Sequence, residues 1–174
     1  MTLRCAVATI SDGVHAGIRN DLSGPAVAAH LAQRGHAVVL RFVLPDEREQ
    51  IAAKLKEIAG SGELDAIVTT GGTGLSARDV TPEATRAVFE REIPGFGELM
   101  RAEGLKSTRR AALSRSMAGT LGLCVIVNLP GSPKGAVESL DAILDLVPHV
   151  VELLQGRTEH LPSVDPAAKP EMAG

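Results

Sequence analysis

The chain has 174 residues, 44% hydrophobic and 22% charged, which suits a globular protein able to bury its own core. A formal net charge of −3, no Trp, no Tyr and three Phe exclude a basic, aromatic-studded nucleic-acid surface. No apolar run reaches bilayer length, no leader pattern precedes the first strand pattern, and two cysteines make neither a disulfide framework nor a zinc site. The expected protein is therefore cytoplasmic, with no membrane partner.

Residues 5–10 (CAVATI) read as a short buried strand, ended by the turn signal Ser11-Asp12-Gly13. A helix then launches near Pro25, carries a small-residue apolar face and stops at Gly35. Residues 38–44 form a second strand closed by Pro45-Asp46. Asp46-Glu47-Arg48-Glu49 has the form of a capping box, which offers Asp46 a role as helix N-cap; Ile51, Leu55 and Ile58 follow at helical spacing.

The third strand, residues 64–70, runs into Gly71-Gly72-Thr73-Gly74. These glycines admit φ > 0 and let a ligand approach the backbone. Thr81-Pro82-Glu83 reads as N-cap, N1 and first-turn acid of a helix over about 82–92. Strand, glycine loop and helix start make an anion-cradling arrangement, with a tight strand-to-helix turn as the bland alternative. Neither the G-x-x-x-x-G-K-[ST] phosphate loop nor the G-x-G-x-x-G dinucleotide fingerprint is present.

A second short helix is expected over 98–103, after the Pro-Gly break at 94–97. The following stretch gathers Arg101, Lys106, Arg109, Arg110 and Arg115, and residues 111–116 suit a short strand. Residues 123–129 (LCVIVNL) form the fourth core strand. Ser132-Pro133 then reads as N-cap and N1 of a final helix through Leu140, Ile143, Leu144 and Val147, kinked at Pro148 and stopped at Gly156. Residues 1–156 are expected to form one domain and the Pro-containing tail 157–174 to be loosely ordered.

Strands alternating with helices imply an α/β fold, three-layer α/β/α, with a mostly parallel sheet and helices on both faces. Right-handed crossovers place the strand C-termini on one edge, where open α/β sheets bind ligands. That edge collects Ser11, Asp12, Asp46, the segment 71–79 and the segment 128–134. It offers the carboxylates Asp46 and Asp79, the hydroxyls of Thr73, Ser76 and Thr81, and glycine amides. Carboxylates hold a cation and amides hold phosphate, so a phosphorylated ligand with Mg2+ fits. No Cys or His falls in these loops, which argues for phosphoryl or nucleotidyl transfer over covalent catalysis.

Thr69-Thr70-Gly71-Gly72-Thr73-Gly74, continued by Arg78-Asp79-Val80-Thr81-Pro82-Glu83-Ala84-Thr85, closely resembles the signature of the MogA/MoaB family of molybdenum cofactor biosynthesis. Ser11-Asp12, Pro45-Asp46-Glu47, Pro94-Gly95-Phe96-Gly97-Glu98, Leu113-Ser114-Arg115 and Asn128-Leu129-Pro130-Gly131-Ser132-Pro133 agree in collinear order over about residues 4–155. The resemblance implies a usually trimeric molybdopterin-binding domain that transfers AMP from Mg-ATP to the terminal phosphate of molybdopterin, with hand-over to a molybdate-inserting enzyme. It also implies a catalytic and metal-binding role for Asp46 and Asp79. It places nucleotide and pterin contacts at Ser11, Asp12, Gly71, Gly72, Thr73, Gly74, Ser76, Thr81, Asn128, Pro130, Gly131 and Ser132, and puts Ser114 near the pterin phosphate. A non-catalytic MoaB-type pterin-binding paralogue shares the same motifs.

Overall fold

The computed structural model describes residues 1–157, so the expected loose tail, apart from Arg157, lies outside the described residues. The elements in chain order are β1 (Arg4–Ile10), the single-turn α1 (Asp12–His15), α2 (Ser23–Gln33), β2 (Ala37–Leu44), α3 (Arg48–Gly60) and β3 (Ala66–Thr70). There follow α4 (Thr81–Arg86), β4 (Arg91–Glu92), α5 (Pro94–Ser107), a 3-10 turn (Arg109–Leu113), β5 (Ala118–Leu121), β6 (Cys124–Leu129), α6 (Pro133–Asp141) and α7 (Val147–Leu154).

The strands form one sheet in the order β2-β1-β3-β6-β5-β4. The first four pair in parallel; β5 and β4 are antiparallel additions. Side chains alternate across the pleat and fill two cores. Cys5, Val7, Val125 and Val127 face Val27, Leu31, Met100, Leu140 and Val151. Ala6, Ala8 and Ile126 face Ile51, Leu55, Ala84 and Val88 on the other side. The expected three-layer α/β/α architecture is what forms.

The chain passes from β1 outward to β2, then crosses back to β3 on the other flank of β1. A strand-order reversal therefore lies between β1 and β3, with the loops after both opening onto the same edge. Gly35, at φ +82°, ends α2 as expected.

Four local expectations fail, each for a tertiary reason. The helix over 82–92 stops at Arg86, because Arg91 and Glu92 join the sheet beside β5. The short helix at 98–103 is instead the 14-residue α5, for which Pro94 is a start rather than a break. The strand expected at 111–116 is a 3-10 turn; the Thr108 hydroxyl accepts from Arg110 N and opens it, and the strand comes later, at β5. The final helix divides into α6 and α7, and Pro148 sits in the first turn of α7 instead of kinking a longer helix.

Candidate functional site

Two clefts open at the C-terminal edge of the parallel strands. The first, about 450 Å3, gathers Ser11, Asp12, Asp46, Gly71, Gly72 and Asp79 above β1 and β3. The second, about 410 Å3, lies between the glycine loop, α5, the 3-10 turn and α6, and includes Thr73, Gly74, Ser114, Pro130 and Ser132. Gly131 lines both. Their characters differ: the first is acidic and polar, whereas the second has Leu75, Met100, Leu113 and Pro130 in its walls.

In the acidic cleft the loops after β1 and β2 are locked together. Asp12 N donates to Asp46 Oδ2 at 2.8 Å, and Asp46 N donates to Asp12 Oδ1 at 3.0 Å. Ser11 N also donates to Leu44 O, while the Ser11 hydroxyl caps α1 by accepting from Val14 N. Asp46 is therefore not the N-cap of α3. Glu47 occupies that position and makes no side-chain cap; its carboxylate accepts from Arg78 instead, while that of Asp46 is turned to Asp12.

Gly72 and Gly74 bring the backbone against the two key carboxylates. A Cβ on Gly72 would lie 3.0 Å from Asp46 Oδ1, and one on Gly74 would lie 2.9 Å from Asp79 Oδ2. Asp79 Oδ2 accepts from Ser76 N at 2.7 Å, closing the loop tip. Asp46 Oδ1 and Asp79 Oδ1 accept no hydrogen bond among the described residues. Burial pushes the Asp46 carboxyl above its usual range; the Asp12 N–H opposes this, and the charges of Asp12 and Asp79 add to it. Asp12 shifts the other way, chiefly because the Arg78 guanidinium donates to both its oxygens at 3.0 Å. Arg78 also reaches Glu47, at 2.8 Å.

No group of three or more His, Cys, Asp and Glu is arranged to hold a metal among the described residues. Two carboxylates with one free oxygen each suit Mg2+, which keeps several waters and binds through one or two carboxylates plus substrate phosphates.

The partition between the clefts is thin. Gly71, at φ +103°, has no space for a side chain: a Cβ there would lie 2.2 Å from Ile10 O. A Cβ on Gly131 would lie 3.3 Å from the Gly71 Cα. Two bare backbones thus meet where the clefts adjoin.

Three of the expected contact residues line neither cleft. Ser76 is exposed at the loop tip, where its N–H is already committed. Thr81 is fully buried under Gly72, with its hydroxyl unpaired among the described residues. It is not the cap of α4 either, since Val80 holds that position without a side-chain bond. Asn128 is also fully buried. Its Nδ2 donates to the hydroxyls of Thr69 at 2.9 Å and Thr85 at 3.0 Å, tying β6 to β3 and α4. Ser132 does cap α6, accepting from Gly135 N.

The basic stretch is divided. Arg101 donates to Ser116 O, and Lys106 pairs with Glu103. Arg115 turns toward the glycine loop, whereas Arg110 lines the apolar cleft with no ion pair among the described residues. Sequence reasoning misses three charged residues of the acidic cleft region: Arg19, which lines it, Arg78 beside it, and Asp21, which accepts from Thr9 and Gly24. Asp21 is hidden inside a helix-start pattern, and Arg78 is legible only as a neighbour of Asp79.

These features define an α/β domain with two adjoining clefts, one acidic and one apolar, at a strand-order reversal. Residues 6–149 match the family model described as a probable molybdopterin binding domain, and the chain belongs to that family. It is 40% identical to the molybdopterin adenylyltransferase of Helicobacter pylori strain J99, over 89% of each chain. It is 36% identical to the Escherichia coli K12 molybdopterin adenylyltransferase, covering 99% of this chain and 96% of that one. The structure of the molybdopterin biosynthesis enzyme MoaB from Thermus thermophilus superposes with a TM-score of 0.83 at 46% identity, covering 89% of this chain and 98% of that one.

Proposed function

We propose that this protein is a molybdopterin adenylyltransferase of molybdenum cofactor biosynthesis. The observation that carries the reading is near-full-length similarity to molybdopterin adenylyltransferases. The pairing of an acidic cleft with an apolar one, joined at Gly71 and Gly131, supports it.

In the proposed reaction a terminal phosphate oxygen of molybdopterin attacks the α-phosphorus of ATP. The new P–O bond forms as the bond to the departing pyrophosphate breaks. The nucleophile is already anionic, so no strong base is needed; the task is to screen two polyanions and align them. Mg2+ accompanying ATP would supply charge neutralisation. Asp46 and Asp79 would offer it their free oxygens, and the amides of Gly72, Thr73 and Gly74, which have no partner among the described residues, are left for the phosphates, whereas that of Gly71 is donated to Leu129 O. The apolar cleft takes the flat pterin, with Ser114, the capped start of α6 and Arg110 near its phosphate. Gly131 leaves open the boundary across which the phosphate meets the nucleotide.

The deciding experiment is incubation with molybdopterin and Mg-ATP, followed by chromatography for AMP-pterin and pyrophosphate. Product from both substrates together, and from neither alone, is expected. Tight pterin binding without product would make this a non-catalytic pterin-binding paralogue. The same reading makes the protein a cytoplasmic homotrimer that passes its product to a molybdate-inserting enzyme. Closed cyclic symmetry suits such an assembly. Light scattering at micromolar concentration is expected to give three protomers, and a monomer mass would remove that part.

A further inference from the structure

We propose that Arg115 is a positioning residue of the transfer reaction, fixing the place of Asp79 by gripping the backbone of the loop that carries it. The inference rests on the adenylyltransferase reading for its consequence in turnover, but its structural content stands on the geometry of one guanidinium.

Arg115 Nε donates to Gly74 O at 2.7 Å, and Nη2 donates to Asp79 O at 2.5 Å. Nη1 pairs with Glu83 Oε1 in the first turn of α4. The backbone N–H of the same residue donates to Thr73 O at 3.0 Å. Both ends of the 73–79 loop and the helix after it are thus held by one residue. Between those ends, residues 75–78 are exposed, and among the described residues the bonds within the tip join Ser76 to Asp79 and to Arg78 N. Outside the tip, Arg78 reaches Asp12 and Glu47 through its side chain, whereas the Asp79 backbone itself is held by Arg115, and the Asp79 carboxylate is placed from that backbone.

Two carbonyls and a carboxylate converge from different directions on this group. A planar guanidinium with five donors meets all three at once; an ammonium on a flexible stem does not reproduce that fork. The partners also explain why Arg115 is not itself the charge that screens the substrates. Its positive charge is matched by Glu83, and it lines neither cleft but a separate pocket with Pro82, Arg101 and Ser116. Arg115 directly follows Ser114, which lines the apolar cleft, so one short segment borders one cleft and braces the carboxylate of the other.

Hydrogen exchange tests the grip without turnover. In Arg115→Lys, exchange at the Ser76 and Asp79 amides should quicken at least roughly tenfold, while amides of β3 and β6 keep their protection. Acceleration spread evenly over the sheet would assign Arg115 to overall stability and overturn the proposal, as would an unchanged loop. In turnover, Arg115→Lys should lower kcat by about tenfold to a hundredfold, the scale of a small misplacement. That loss should largely disappear in an Asp79→Asn background. Losses that multiply would mean that Arg115 acts by another route. Should Arg115→Lys fail to fold, Glu83→Gln weakens one partner of the same guanidinium and should give the same exchange pattern at smaller size. A wild type that makes no AMP-pterin would end the adenylyltransferase reading, while the exchange result would still judge the grip on Asp79.

Discussion

The acidic cleft and the apolar cleft share one sheet edge and one glycine, yet they are built in different ways. The acidic cleft is made almost wholly of strand-end loops, held by backbone bonds such as the reciprocal Asp12–Asp46 pair. Its electrostatics are tense: Asp12, Asp46 and Asp79 gather with Arg78 as the paired cation. The apolar cleft is walled by α5, the 3-10 turn and the start of α6, so its shape depends on helix packing. Strand ends fix points in space, and helices fix volumes. A reaction that needs a cation and phosphates placed to within fractions of an ångström, and a ring merely enclosed, suits that division.

The sharpest way to break the comparison is at the partition. Gly71→Ala should destabilise the fold by roughly 3 kcal/mol, since a left-handed backbone alone costs an L side chain about 1–2 kcal/mol. Overlap with the Ile10 carbonyl adds the rest. Gly131→Ala has an ordinary backbone and a contact of 3.3 Å to Gly71, so its melting temperature should stay near wild type while transfer falls. Thermal melts and product formation, measured on both variants, separate a folding partition from a functional one. A stable, fully active Gly71→Ala would mean that close backbone contact does not build the partition at all.

Next in size are the carboxylates. Asp46→Asn and Asp79→Asn keep shape and an acceptor for Asp12 N or Ser76 N, but remove charge. Each should lose roughly a hundredfold in kcat/KM, about 2.7 kcal/mol of barrier, with a weaker response to Mg2+. Because Asp46 caps no helix, its Asn variant should also melt within about 0.5 kcal/mol of wild type. Near-full turnover in Asp46→Asn would leave the acidic cleft without its proposed cation role.

The same contrast explains what can be read from sequence. Continuous apolar runs at β1, β3 and β6 betray buried parallel strands, and the glycine, Pro-Asp and Pro-Gly signals that follow strands mark the edge. Segments shaped by remote partners are not legible. Residues 86–121 become a short helix end, an edge strand, a long helix and a 3-10 turn because β4 adds to β5 and α5 packs across the sheet. Asn128 is the instructive case at the site. A polar residue at a strand end suggests ligand contact, whereas two threonine hydroxyls from distant segments draw its amide inward.

Asn128→Ala should therefore act through the fold. Loss of its two buried bonds is expected to lower stability by about 2 kcal/mol. Well below the melting midpoint, KM for either substrate should remain within about twofold of wild type, a shift of only about 0.4 kcal/mol. Chemical denaturation and initial-rate kinetics on one preparation measure both. A large KM increase with unchanged stability would return Asn128 to the binding surface.

The smallest expected effect is the most specific to the acidic cleft. Burial raises the Asp46 carboxyl above its ordinary value near 3.8, so a folded molecule takes up this proton before an unfolded chain does. The ionised form thus costs stability above that raised value, and acidification through it relieves the cost. Asp12 behaves oppositely: its Arg78 pair holds it low, so its contribution is present above the ordinary carboxylate range and fades as pH falls. The proposed cation role needs Asp46 ionised, which would place the acid limb of kcat/KM at Asp46 rather than Asp12. Arg78→Gln removes a positive neighbour of Asp46 and leaves the Asp12 charge unscreened. Both changes push Asp46 further up, so the limb should move to higher pH by about half a unit, equivalent to about 0.7 kcal/mol. Carboxyl NMR titration of Asp46 in the two proteins reads the same shift without substrates. A limb that stays in place, or moves to lower pH, would mean that another group controls the acidic cleft.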